Sequence, residues 1–419
     1  MHMYIKKYIS LCSKQSGDKM KILLVNKFYY SRGGADLVNI RLEELLKSKG
    51  HEVAVFSCGY SKNIKVHWDE YFPEEVDFFG SFSSKLKAAS RAIWGSGVRE
   101  KYEKLISDFN PDLVHIHNVH SYLSPIVARI AYEHHLPVVW TLHDYKLICP
   151  AYSCLCREQV CEECFNAPYR VVLRKCMKNS WSASIVAYCE ILNWNKSKLQ
   201  RYVDTFICPS DFMQRKMIAG GYSSKQLTTL CNFIPSEFTS EERPREDYYC
   251  YVGRLSPEKG VETLLKAAID CSYTLKVAGD GPLFLQLKKR YQSDKILFLG
   301  KLNNKEVSAL LAGARFSVTP SECYENNPLS VIESLCMGTP VLGSDNGGIP
   351  ELIEEGCTGE IFHAKDITDI KKKIKKMFNT DFNYSLISKK SQERFSESVH
   401  FDKLLKLYQN ALKKHSELQ

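Results

Sequence analysis

Three short segments in the second half of this 419-residue chain combine residue types that bind phosphates and sugars. Residues 252–260 (VGRLSPEKG) end an apolar run and place Arg254 and Lys259 on a loop that opens a helix. Two cations there suit a diphosphate, because free backbone N–H groups and the helix dipole already favour anions. Each charge-assisted hydrogen bond adds about 1.5–3 kcal/mol. A surface turn with two solvated cations would look the same in isolation. Residues 278–282 (AGDGP) form a glycine-rich strand-to-helix turn, which is weak evidence alone. The third glycine of a dinucleotide fingerprint would fall on Phe284, whose bulk blocks close helix–strand packing and disfavours an NAD site.

The strongest signal is residues 320–353, PSECYENNPLSVIESLCMGTPVLGSDNGGIPELI. Glu325 and Glu333 flank a turn whose Pro328 suits the first helical position. With Glu325 on the loop and Glu333 on the helix, both can point into one crevice. Backbone amides at Asn327 and Leu329 are then available to phosphate or sugar oxygens, and a carboxylate facing them accepts hydrogen bonds from vicinal hydroxyls. An amphipathic helix with two exposed glutamates is the plain alternative. It leaves the polar ENN before a proline, and the Gly347–Gly348 pair, without a reason. In the first half, His115 and His117 alternate on an apolar run, and His143–Asp144 end another. An H-x-H pair can bind a metal, but no third ligand is placed beside it, so structural or acceptor-lining histidines are favoured.

The elements that carry these residues alternate between short apolar runs and helical patterns. Residues 21–28, 52–57, 112–118, 137–144 and 205–210 read as strands in the first half; 248–255, 274–280, 295–300, 315–321 and 340–345 repeat the rhythm in the second. Such alternation predicts α/β domains with parallel, doubly wound sheets and ligands at the strand C-termini. The length favours two of them. The expected organisation is an extension at 1–19, a first domain at 20–240 with a cysteine-rich insert at 145–180, and a linker at 241–247. A second domain at 248–395 follows, with a C-terminal helix at 396–419 packing back towards the first.

In order and spacing, Gly253–Arg254…Lys259–Gly260, Gly279–Asp280–Gly281–Pro282 and Glu325-x7-Glu333 followed by Gly338–Thr339–Pro340–Val341 resemble the retaining GT-B glycosyltransferases of family four. That family includes bacterial capsule, O-antigen and mannosyl transferases, and the resemblance covers residues 20–380. It implies two Rossmann-like domains facing a donor cleft, the first binding acceptor and the second a UDP- or GDP-sugar. Arg254 and Lys259 resemble the cation pair on the donor diphosphate, and Glu333 the residue that holds the ribose hydroxyls. Glu325 resembles the carboxylate at the reaction centre, with Asn326, Asn327, Pro328 and Leu329 as the sugar and phosphate loop. Gly281 and Pro282 fall near the base. Gly33 and Gly34 look like the glycine-rich loop that lets backbone approach the donor, and His143 like the active-site histidine. No Asp-x-Asp pair occurs, which fits a transferase needing no metal cofactor, with Arg254 and Lys259 stabilising the leaving diphosphate.

The resemblance implies hexosyl transfer by front-face substitution, the leaving phosphate taking the acceptor's proton. A lipid-linked glycan of surface-polysaccharide synthesis is the expected acceptor. A soluble or glycolipid acceptor is the alternative, as is a sugar-nucleotide-binding protein without catalysis.

Composition bounds the setting. The formal net charge is +9 with 44% hydrophobic residues, a soluble profile without a nucleic-acid patch. The run 371–376 (KKKIKK) reads as a solvated helix face. Sixteen cysteines with no export signal suggest reduced thiols in the cytoplasm. Six of them crowd residues 149–176. Cys161-x-x-Cys164 has zinc-knuckle spacing, and Cys176 with Cys149 could complete a structural site; free buried thiols or a redox role are the alternatives. Residues 81–106 interleave Lys85, Lys87, Arg91, Arg99, Lys101 and Lys104 with Leu86, Ile93 and Trp94. They could lie peripherally on an anionic membrane, or form an ordinary helix over the sheet, broken at Gly95 and Gly97.

Overall fold

The computed structural model describes residues 19–235 and 244–417. Of the expected extension only Lys19 is therefore described, and residues 241–243 of the expected linker and 418–419 of the C-terminal helix lie outside the described residues.

Each half is built on one six-stranded sheet whose strands all run parallel. In the first, β1 (Lys21–Val25), β2 (Glu52–Phe56), β3 (Leu113–Ile116), β4 (Val138–Thr141), β5 (Thr205–Cys208) and β6 (Leu227–Thr229) are ordered β2-β1-β3-β4-β5-β6. In the second, β7 (Tyr248–Val252), β8 (Thr274–Ala278), β9 (Ile296–Gly300), β10 (Phe316–Thr319), β11 (Val341–Ser344) and β12 (Gly359–Phe362) are ordered β9-β8-β7-β10-β11-β12. The second order is the doubly wound one of Rossmann domains. Strands covered by helices on both faces need unbroken apolar sequence, which KILLV in β1 and VVWT in β4 provide. The edge strands β6 and β12 (LTT and GEIF) carry no such run and were not expected.

Five helices matter for the site and its surroundings: α1 (Gly34–Ser48), α2 (Phe82–Trp94), α3 (Trp181–Asn193), α4 (Leu329–Cys336) and α5 (Glu397–Glu417). Two separate cores result. Leu404, Tyr408, Ala411 and Leu412 of α5 belong to the first domain's core, whereas Ile387 and Phe395 just before it belong to the second. The chain thus crosses between domains twice. The crossings touch where the Ile234 N–H donates to the Phe395 carbonyl (3.2 Å).

Residues 81–106 are not one surface helix. Gly95, in the left-handed region (φ 72°), caps α2, and a second helix (Arg99–Phe109) buries Tyr102, Leu105, Ile106 and Phe109 against the sheet. Arg91 and Ile93 also face inward. The lysine run lies on the helix Ile367–Phe378, where Lys373 and Lys376 pair with the buried Glu360 (2.7 and 2.6 Å).

Candidate active site

Doubly wound sheets open a crevice where strand order reverses. In the second domain that point lies between β7 and β10, and the loops leaving these two strands carry Lys259 and Glu325. Gly260 lets them meet: its φ is +65°, and a Cβ there would lie 1.9 Å from the Pro320 carbonyl oxygen. Lys259 Nζ then donates to Glu325 Oε1 at 2.6 Å, and Ser321 Oγ donates to the same oxygen at 2.6 Å. Burial alone would push the Glu325 carboxyl up, but the Lys259 ammonium and the Ser321 hydroxyl together hold it below its ordinary value. Burial likewise disfavours the Lys259 ammonium, yet the Glu325 charge wins and raises it above its ordinary value. Arg254, on the same loop, is exposed.

The glycines around this pair have packing reasons. Gly347 is left-handed (φ +69°) and a Cβ would sit 2.1 Å from the Glu325 carbonyl oxygen; at Gly348 it would meet the Asn326 oxygen at 2.0 Å. The Gly348 N–H donates to that Glu325 carbonyl (2.7 Å). The pair therefore presses backbone against backbone and fixes where Glu325 points. Gly279 and Gly281 do the same for the loop after β7. Their Cβ positions would fall 1.8 Å from the Gly253 oxygen and 2.4 Å from the Leu255 oxygen. Pro282 beside them is exposed.

The loop from Asn326 to Leu329 is fastened to the first domain. Asn326 Nδ2 donates to the Leu142 carbonyl (2.8 Å), and its Oδ1 accepts from Ser210 Oγ (3.0 Å). Asn327, buried, accepts from the Asn232 N–H at Oδ1 (2.8 Å) and from Asn232 Nδ2 at its carbonyl (2.9 Å). These two side chains thus bridge the domains. Pro328 caps the start of α4. Glu333 on α4 meets Arg41 of α1 across the cleft, Oε1 to guanidinium nitrogen 3.4 Å, and burial raises its carboxyl above the ordinary value despite Arg41. Sequence reasoning missed Arg41. Its signal is a cation on the apolar stripe Val38–Arg41–Leu42–Leu45, a position that buries a charge.

From the first domain, Gly33 and Gly34 are exposed at the start of α1. A Cβ on Gly33 meets nothing within 4 Å, whereas one on Gly34 would approach Leu329 Cδ1 at 3.9 Å. Gly34 thus faces the first residue of α4 in the second domain. Its helix is steadied by Asp36, which accepts from Asn26 Nδ2 (2.9 Å). His143, after β4, shares a hydrogen bond with His117 (Nε2 to Nδ1, 2.8 Å), and burial followed by the nearby Lys27 charge depresses it to about 4. It is thus a neutral imidazole at physiological pH. His117 stacks in turn on His115 (4.4 Å), which is held by Tyr408 Oη (2.7 Å) and Thr141 Oγ1 (2.8 Å). Three imidazoles therefore form a column from α5 to the cleft, with His117 orienting His143. The alternation of His115 and His117, which puts both on one face of a strand, was its only sequence trace. Asp144 sits beside Lys27, its carboxyl raised by burial against that ammonium's pull.

The zinc expectation is not supported. Among the described residues no group of three or more His, Cys, Asp or Glu side chains is arranged to hold a metal ion. Cys149 shares hydrogen bonds with Cys154 and Cys164, and Cys176 with Cys156, so the thiols lie near one another without a metal-holding arrangement of Cys149, Cys161, Cys164 and Cys176. All six thiols of the insert are free. The insert also reaches the second domain: Glu162 accepts from Tyr324 Oη (2.8 Å) and the Glu158 carbonyl from Lys365 Nζ (2.8 Å).

Two Rossmann-like domains meeting over a cleft, with cations at the second domain's switch point, define a GT-B architecture. Residues 32–238 match the model for Glycosyltransferase Family 4, and residues 234–399 that for Glycosyl transferases group 1. The chain belongs to the group 1 glycosyltransferases of family 4 and uses nucleotide sugars. A protein of the cps region of Klebsiella pneumoniae is 27% identical, over 87% of this chain and 97% of its own. Among solved structures, Anabaena HepE in complex with UDP and glucose shares the fold (TM-score 0.60, 16% identity, 93% of this chain and 99% of that one). So does the lipopolysaccharide outer core galactosyltransferase WaaB (TM-score 0.62, 17% identity, 94% and 99%).

Proposed function

We propose that the chain transfers a hexosyl group, with retention and without a metal cofactor, from a UDP- or GDP-sugar to a lipid-linked glycan in surface-polysaccharide assembly. The observation that carries this reading is the Lys259–Glu325 contact at the switch point, with Arg254 on the same loop. An ammonium has three donors, and Glu325 takes one, so two remain for diphosphate oxygens. As the bond to the anomeric carbon breaks, negative charge gathers on the diphosphate between Lys259 and Arg254. Positive charge gathers on the sugar beside the Glu325 carboxylate, which its neighbours keep ionised. Such preorganised charges act in the transition state more than in the ground state. The leaving phosphate takes the acceptor's proton, so no protein base is assigned. Glu333 holds the ribose, Gly33 and Gly34 admit the diphosphate to the N-terminus of α1, and His143 contacts the sugar. The relative from a cps region supports the polysaccharide setting.

The test is a panel of UDP- and GDP-hexoses with mass-spectrometric detection of donor hydrolysis and transfer, on the wild type and on Arg254→Met/Lys259→Met. One donor should turn over, the product should keep the donor's anomeric configuration by NMR, and the double variant should be inactive. Unchanged turnover in that variant, or an inverted product, overturns the reading.

A further inference from the structure

Two helices of the first domain turn large apolar side chains to solvent side by side. On α2 and its lead-in these are Phe79, Phe82 and Leu86, 76%, 77% and 55% exposed; on α3 they are Trp181, Ile185 and Leu192, each near half. Trp181, Ile185 and Leu192 recur at helical spacing and make one stripe. The two helices run in the same direction. At one end the Lys178 ammonium lies 4.1 Å from the Phe79 ring centroid, and at the other Asn193 Nδ2 donates to the Ile93 carbonyl (2.7 Å). The stripes therefore merge into one face, larger than scattered surface apolar residues explain.

The unpaired charges that border this face are basic. Residues 78–99 contain no acid, and the single acid within 164–203 is Glu190, which is buried against Lys146 (2.9 Å). Exposed Lys85, Lys87 and Lys178 border the apolar stripe, whereas Arg170 and Arg174 at its margin pair with Glu163. Glu74, Glu75 and Asp77 precede the face, and Asp77 accepts the Phe79 N–H (2.7 Å), steadying the turn that presents it. Exposed aromatic and aliphatic residues ringed by lysines match a bilayer interface with anionic headgroups.

We propose that α2 and α3 form a docking face for an anionic lipid surface. Its edge joins the cleft: Phe78 packs on Tyr122 (5.5 Å between ring centroids), and Tyr122 on Phe28 (5.0 Å), just before the glycine loop. The lipid would thus lie beside the acceptor side of the cleft, which deepens the reading of a lipid-linked acceptor. The face itself does not depend on that reading.

The full chain, without donor or acceptor, is sedimented with sucrose-loaded vesicles of phosphatidylglycerol and phosphatidylethanolamine, and in parallel with phosphatidylcholine vesicles. Binding to the anionic vesicles, weakened by salt, is expected. Phe82→Ser/Trp181→Ser/Ile185→Ser should abolish it at an unchanged melting temperature. Should that variant fail to fold, Lys85→Glu/Lys87→Glu/Lys178→Glu is read instead, with a loss of at least about fivefold per lysine. No binding to anionic vesicles overturns the proposal, as does equal binding by the variants. So does a dimer in sedimentation velocity that the apolar variant dissolves while vesicles fail to bind, since the face would then belong to a second copy. Turnover of soluble donor and acceptor is unaffected by any of these outcomes, so the transfer reading stands or falls separately.

Discussion

Replacing Lys259 by methionine keeps the length and apolar stem of the side chain and deletes the charge. Two losses follow, and they separate. In the transition state, a cation on the departing diphosphate is worth about 2–4 kcal/mol, so kcat should fall about 30- to 1,000-fold. In the resting protein, Glu325 keeps its burial and its Ser321 hydrogen bond but loses the ammonium at 2.6 Å. Removing one partner of such a buried pair costs up to about 3–5 kcal/mol, with the lower end expected because the Lys259 side chain is 30% exposed. The pH dependence should change sign. In the wild type the Glu325 carboxyl lies below its ordinary value of 4.5, so its contribution is present above that pH and is lost as pH falls through the depressed value. Without Lys259, burial dominates and lifts the carboxyl, so the variant should gain stability relative to wild type as pH falls towards 4.5. Adding Glu325→Gln should restore the melting temperature and leave turnover low. Steady-state kinetics and thermal melts from pH 4 to 8 read both effects. Unaltered turnover in the single variant, or no recovery of melting in the double, would refute the reasoning.

Gly347→Ala puts a Cβ into the Glu325 carbonyl at a left-handed position, and a displacement of about 1 Å at the reaction centre costs on the order of 100-fold in kcat; UDP affinity measured calorimetrically should change less. Glu333→Ala should raise the donor KM about 10- to 100-fold, the worth of hydrogen bonds to a charged group, with a smaller change in kcat. A kcat loss at unchanged KM would remove the ribose role. His143, at about 4, and His400, likewise pushed to about 4 by burial, are depressed from an ordinary 6.5. The unfolded chain therefore binds more protons between these values, and their contribution, full above 6.5, should fade as pH drops towards 4. A melting temperature flat from pH 7 down to 4.5 would contradict it. His117→Phe should remove the partner of His143 and lower kcat with little effect on donor KM; equal changes in both would point to a structural defect.

The central strands were legible because both faces of a parallel sheet must be apolar, which leaves a run such as KILLV no other use. The edge strands β6 and β12 were not, since one open edge relaxes that demand and LTT carries no signal. That Lys259 and Glu325 serve one cleft was legible through the family resemblance, since loops leaving strand C-termini gather at one edge of such a sheet. Their direct ion pair was not, since that rests on Gly260 letting two loops touch. Asn326 and Asn327 were expected in the sugar and phosphate loop, and the folded chain uses their side chains to tie that loop to Leu142, Ser210 and Asn232. Polarity showed that they needed partners without showing which. The cysteines misled for a related reason: the spacing of Cys161 and Cys164 is local, and although the fold brings Cys149 to Cys164, no group of ligands arranged to hold a metal results among the described residues.

The division of charge between the domains bears on the reaction. Lys259 and Arg254, which face the leaving group in the proposed transfer, both come from the second domain. In the same proposed transfer the first domain offers His143 on the sugar's other side, and burial and Lys27 keep it neutral. A charged imidazole there would oppose positive charge growing on the anomeric carbon, whereas a neutral one can still accept or donate a hydrogen bond. The column behind it is likewise uncharged: His117 is held well below its ordinary value by burial and His115 is pushed to about 3. In the proposed transfer the fixed charges near the breaking bond, Lys259, Arg254 and Glu325, then all come from the second domain, and the first contributes neutral groups. The asparagine and Arg41 contacts that cross the cleft hold the two domains together, and in the proposed transfer they would keep those neutral groups facing the charges.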